Sequence, residues 1–178
     1  MLLRPSETAV HRIGEILTKD FQNGVTVAVV ADDVTLTVMR DGRLFHRVLF
    51  DPGEAMEMAG FFKTGADRLV RQGGSGLGDA VRAEETVYQT PFSSIIIPGV
   101  TLGGLIPVGD ICFGGDWKNA VAIMIRGNML VFRIFKNGLK HYEIEFGINQ
   151  CEQMAEFFQR AADRVSKSGA SNTCANSL

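Results

Sequence analysis

Along residues 25 to 50 apolar side chains recur at every second position within short runs: Val27 and Val29 in the first, Val34, Leu36 and Val38 in the second with Thr35 and Thr37 between them, and Val48 after Arg47 in the third. A period of two over such short runs predicts β-strands near 25–31, 34–40 and 43–50. Beyond residue 51 the apolar spacing lengthens to three and four, through Met58, Ala59, Phe62, Ala66 and Leu69, which predicts an amphipathic helix. Asp51-Pro52-Gly53-Glu54 marks its start, with an acid at the cap, proline at the first helical position and a second acid three residues past the cap. Residues 121 to 169 repeat the whole sequence of events: strands, then a helix with the stripe Met154, Ala155, Phe158, Ala162 and Val165. There Asn149 and Glu152 offer the capping relation, displaced by two residues.

The two stretches align without gaps at an offset of 96, residue 25 falling on residue 121. FFKTGADRLV from Phe61 meets FFQRAADRVS from Phe157, and Asp41-Gly42 meets Asn137-Gly138. Conservation of pattern and turn chemistry together is the mark of a duplicated supersecondary unit. The expectation is an α+β fold: two tandem copies of an antiparallel β-meander followed by a helix, residues 25–73 and 121–169, with the sheet faces covered by the helices. Val10, Ile13, Leu17 and Phe21 share one helical side, so an N-terminal helix is expected over 6–21. Residues 1–169 then make one domain, 74–120 a glycine-rich and partly stranded connector, and 170–178 a flexible tail.

Hairpin register follows from the loop. A two-residue Asp41-Gly42 loop sets Leu36 opposite Arg47 and puts arginine in the core. A three-residue loop, Arg40-Asp41-Gly42, sets Val38 against Leu44, Leu36 against His46 and Val34 against Val48, and its counterpart Lys136-Asn137-Gly138 sets Leu130 against Ile144. The second register gives both copies an apolar inner face. The outer faces then carry Arg43, Phe45 and Arg47 in the first copy, and Arg133, Phe135, His141, Glu143 and Glu145 in the second.

Charge adds little direction: 18 Lys and Arg against 20 Asp and Glu leave no net field that would steer a polyanion. Cys112, Cys151 and Cys174 are widely spaced, which fits reduced thiols and an intracellular location rather than a disulfide framework. The apolar run 93–109 is interrupted by Pro98, Pro107 and glycines, so it reads as buried strands rather than a membrane span. His11, His46 and His141 lack metal-ligand spacing, so no metal is expected. His46 reads as a structural histidine on the inner face, Cys151 as a small buried hydrophobe, Trp117 as an anchor over the sheet, and Asp67-Arg68 and Asp163-Arg164 as solvent-side local pairs. GGSGLG follows a helix and lacks the lysine of a phosphate loop, so it reads as a connector. No nucleophile, base and orienting acid come together, and neither an enzyme nor a cofactor is expected.

Two tandem units of antiparallel strands followed by a helix resemble, in architecture, the Whirly family of single-stranded nucleic-acid-binding proteins and, more loosely, Pur-alpha repeats. The resemblance covers residues 25–169; the lysine-rich KGKAAL motif has no counterpart here. It implies a strand surface that stacks bases and a symmetric homo-oligomer held by helices. Arg43, Phe45, Arg47, Arg133, Phe135 and His141 are the corresponding candidate binding residues, for single-stranded DNA or RNA or for a protein partner. The alternative is a self-associating assembly module in which Arg47 of one face meets Glu143 of the other.

Overall fold

The computed structural model describes residues 9–18, 21–72 and 105–174. It is an α+β protein with two antiparallel four-stranded sheets and two helices. In the first sheet β1 (Val10–Leu17), β2 (Gly24–Val30), β3 (Asp33–Arg40) and β4 (Arg43–Phe50) lie side by side in chain order, and α1 (Pro52–Arg71) follows. The second sheet is built the same way from β5 (Leu105–Cys112), β6 (Ala120–Arg126), β7 (Met129–Lys136) and β8 (Leu139–Phe146), followed by α2 (Ile148–Cys174). From β2 onward each element of the second set begins 96 residues after its counterpart: 24 and 120, 33 and 129, 43 and 139, 52 and 148.

The expected N-terminal helix is a strand where it is described. β1 pairs with β2, but its register shifts between Arg12 and Gly14, leaving Ile13 as an extra residue. That bulge switches the parity of the strand halfway along. Val10, Ile13 and Leu17 therefore fall at spacings of three and four and imitate a helical stripe. β5 has the same device, with a shift between Pro107 and Gly109 around Val108. The rest of the expected connector, 73–104, including GGSGLG, lies outside the described residues.

The three-residue hairpin loop is also corrected. Asp41 (φ 51°) and Gly42 (φ 73°) are both left-handed, as are Asn137 (φ 55°) and Gly138 (φ 79°), the signature of a two-residue turn that matches strand twist. Val34 pairs with Phe50, Leu36 with Val48 and Val38 with His46. The register then shifts before Met39 pairs with Leu44, so Phe45 is a bulge residue and arginine stays out of the core. In the second sheet Leu130 pairs with Phe146 and Phe132 with Ile144, and the bulge residue is His141.

At the start of α1 the expected box forms in full: Glu54 N–H donates to Asp51 Oδ1 at 2.8 Å, and Asp51 N–H to Glu54 Oε2 at 3.0 Å. In α2 the corresponding bond is not displaced: Gly147 N–H donates to Gln150 Oε1 at 3.1 Å, at the positions equivalent to Asp51 and Glu54. The apolar pattern fades at Ser166, yet α2 continues to Cys174, with the Ser168 hydroxyl donating to Arg164 O.

The chain divides into two compact units whose boundaries cut through the helices. One unit contains the first sheet, α1 as far as Ala59 and α2 from Glu156. The other contains the second sheet, α1 from Gly60 and α2 as far as Ala155. In the first unit Phe158 of α2 meets Phe50 edge to face at 5.4 Å, and Phe157 lies over Gly14, where an added Cβ would be 2.3 Å from its ring. In the second unit Phe62 of α1 meets Phe146 at 5.5 Å and Phe132 at 6.4 Å, while Phe61 lies over Gly109, 2.4 Å from an added Cβ. Each paired phenylalanine thus fills a sheet from the other half of the sequence, one ring in the core and the other over the glycine beside the first-strand bulge. The arginines of the repeated Ala-Asp-Arg follow suit. Arg68 donates to Pro107 O at 3.1 Å and Arg164 contacts His11 Nδ1 at 3.1 Å, so they reach strands of their units rather than making local pairs.

Candidate functional site

On the first sheet, Phe158 of α2 packs against Phe50 on the face that also carries Val34 and Val48, and the other face holds Thr35, Thr37, Arg47 and Leu49. β4 is an edge strand with β3 as its neighbour. Arg43 and Arg47 are exposed, and among the described residues neither has an ion-pair partner. Phe45 is half-buried, and its bulge position turns it out of the strict alternation; the Arg40 guanidinium lies 5.2 Å from its ring centroid. Arg40, Asp41, Arg43, Leu44 and Phe45 line an open depression of about 500 Å³. Arg40 also approaches Asp41, at 3.7 Å, between two exposed side chains. Leu44 and Leu49 are 60% and 54% exposed. Of the six candidate residues, Arg43 and Phe45 are gathered at the turn end of this edge strand, while Arg47 pairs with Thr37 in mid-strand, on the face opposite that of Arg43. Arg40 joins Arg43 and Phe45; the sequence reading placed it inside the turn and missed it.

The second sheet treats the equivalent face differently. Arg133 is 3% exposed, Phe135 3%, and Val131 and Met124 are buried with them. Leu105, Ala122, Met124 and Phe135 form an apolar cluster. Arg126 donates to Glu143 at 2.9 Å and to Glu145, Arg133 donates to Glu143, and Lys140 stands 3.7 Å from Glu143. Burial works to raise the Glu143 carboxyl, but hydrogen bonds and charge from Arg133 and Arg126, with Lys140, hold it below the ordinary range. His141, the bulge residue equivalent to Phe45, is half-buried. Arg133 and Phe135 are thus parts of a packed layer and present no ring or guanidinium to a ligand. Glu143 is paired within its own sheet, to Arg126, Arg133 and Lys140.

Other chemistry-bearing groups behave as structure. Cys151 is fully buried, its thiol facing Phe146 O at 3.9 Å and pushed up to about 12 by burial and by the Glu152 charge. Cys112 donates to Asp110 at 3.8 Å; burial raises both groups, and the nearby carboxylates raise the thiol further. His46 is half-buried opposite Val38 on the inner side. Among the described residues no group of His, Cys, Asp and Glu could hold a metal ion, and no helix is long and apolar enough to cross a membrane. No family model matches the chain, and no curated protein matches it significantly in sequence.

Proposed function

We propose that this is a non-enzymatic protein that binds single-stranded DNA or RNA through the first sheet, with Arg40, Arg43, Phe45 and Arg47 as its contact residues. The observation that carries this reading is the Arg40 guanidinium over the Phe45 ring, with exposed Arg43 beside them, at an open depression. Cation-flanked rings suit a single strand because every base has a stackable face and every linkage a negative charge. The acids that argue against a polyanion in the second half, Glu143 and Glu145, are neutralised by Arg126 and Arg133. Strand-strand-strand-strand-helix order in both halves supports a duplicated architecture of the Whirly or Pur-alpha kind.

Fluorescence anisotropy with a labelled single strand tests the proposal. Three arginine–phosphate contacts give a slope of log affinity against log salt of about −2, which falls by about 0.7 in Arg47→Ala. Phe45→Ala weakens binding by the loss of about 1–3 kcal/mol of stacking. An oligonucleotide that is not retained at low salt removes this function.

A second reading, self-association, is favoured by one observation: Leu44 and Leu49 are exposed beside Arg47 on an open edge strand. Sedimentation at micromolar concentration decides it, because a monomer excludes this edge as a stable subunit contact.

A further inference from the structure

Two loops outside the predicted site share one arrangement, one loop in each unit. Between β1 and β2, Thr18 N–H donates to Asn23 O at 2.8 Å and Phe21 N–H donates to Thr18 O at 2.9 Å, closing a tight loop. Phe21 is 68% exposed with a φ of 59°, a left-handed conformation that is unfavourable for a bulky side chain. Neither packing nor local backbone preference explains an aromatic there. The loop is latched to the β3–β4 hairpin, because Gly42 N–H donates to Gln22 O at 2.8 Å and Asp41 N–H to Asn23 Oδ1 at 3.3 Å.

The loop between β5 and β6 is latched by the corresponding pair: Gly138 N–H donates to Lys118 O at 2.9 Å, and Asn137 N–H to Asn119 Oδ1 at 3.4 Å. In both loops the residue just before the latch carbonyl is aromatic, Phe21 in one and Trp117 in the other. Trp117 is 38% exposed and rests beside the hairpin glycine, where a Cβ on Gly138 would stand 3.3 Å from its ring. It is not the anchor over the sheet that its sequence context suggests. A cation stands against one ring, and the hairpin latched to the other ring's loop carries two. The hairpin latched beside Phe21 carries Arg40 and Arg43, and Lys118 Nζ is 5.7 Å from the Trp117 centroid, with Lys136 on the adjoining hairpin. Asp116 is committed to bracing the loop: it accepts from Lys118 N–H at 3.0 Å and from the Asn119 amide at 3.1 Å.

We infer that each latched loop is a base-stacking platform for single-stranded nucleic acid, with Phe21 and Trp117 as its two rings and the flanking cations taking the phosphates. This rests on the reading that the protein binds single strands, and adds a second contact region to it. The latch explains the geometry: it fixes a ring at the loop tip against solvent, pre-organised rather than ordered at the moment of binding.

Trp117 is the sole tryptophan of the chain, so its emission reports directly on its platform. Titration with a short deoxythymidine oligomer is expected to quench it saturably, with salt reversing the quench. Trp117→Ala and Phe21→Ala are each expected to weaken anisotropy-measured affinity about 5- to 150-fold, while Trp117→Phe retains most of it. If the oligomer binds by anisotropy but Trp117 emission is unmoved and both alanine variants, folded by circular dichroism, bind like the parent, the platforms are refuted and the first-sheet site stands. If no oligomer binds at all, the proposed function and this inference fall together.

Discussion

Gly65→Ala is expected to destabilise the protein although it replaces glycine inside a helix. In an unconstrained helix interior the change stabilises by about 1 kcal/mol. Gly65, however, is buried in α1 against the second sheet, and an added Cβ would stand 2.1 Å from Leu130 Cδ1. Carbon atoms in contact prefer about 3.5–4.0 Å, and Leu130 is fully buried, so the leucine has no solvent to turn into. Overpacking of this kind costs about 1–3 kcal/mol. Gly60 lies in the same helix with nothing within 4 Å of an added Cβ, which makes it the internal control. In urea unfolding followed by circular dichroism, Gly60→Ala should gain about 1 kcal/mol. Gly65→Ala should lie about 1–3 kcal/mol below that control. Leu130→Val, which removes the obstructing carbon, costs about 1 kcal/mol alone and should be neutral or favourable beside Gly65→Ala, a coupling of about 1–2 kcal/mol. Equal stabilisation at positions 60 and 65, or strict additivity of Gly65→Ala with Leu130→Val, would refute the close approach of α1 to β7.

Ala31 has a φ of 53° in the β2–β3 turn, where the second half has Gly127 at 60°. Ala31→Gly relieves left-handed strain of about 1–2 kcal/mol against a smaller unfolded-state entropy cost, so thermal unfolding should show a net gain of about 0.5–1 kcal/mol. Glu143→Ala leaves Arg133 buried without its carboxylate and should cost about 3 kcal/mol or more. Because the Glu143 carboxyl is held below its unfolded value, its contribution is complete above the unfolded pKa and disappears as pH falls through the folded one. A pH–stability profile should therefore lose part of its acid limb in Glu143→Ala, and an unchanged limb would assign the acid sensitivity elsewhere.

The strands β2 to β4 and β6 to β8 were legible because short apolar runs bounded by turn residues need nothing but the chain itself. Both helices and the Asp51–Glu54 box were legible for the same reason: their signals are local. β1 was not, since the bulge at Ile13 converts an alternating strand into a three-and-four spacing. The bulges at Phe45 and His141 defeated the register argument in the same way: one extra residue reconciles a two-residue turn with an apolar inner face. Arg43 and Phe45 stayed together because they adjoin one turn, but the bulge at Phe45 puts Arg47 on the face opposite Arg43. Arg133 and Phe135 sit in an equally polar-looking pattern, but their burial depends on what packs over β7, which periodicity does not encode. Nor does a stripe name its partner: Phe62 and Phe158 each read as facing a sheet, and the sheet turned out to belong to the other half of the sequence.

That exchange of helix segments has an evolutionary corollary. Descendants of a duplicated segment normally drift apart, each accumulating its own compensations. Here the residue that must accommodate a change in one helix lies far along the chain in the other half, 65 positions away for Gly65 and Leu130, so the compensations are written crosswise. Gly65 against Leu130 already has that form, and the positions 96 residues from them hold Ala161 and Val34, a larger helix residue and a smaller strand residue. Neither half can be remodelled alone, and the pair is bound to change in step.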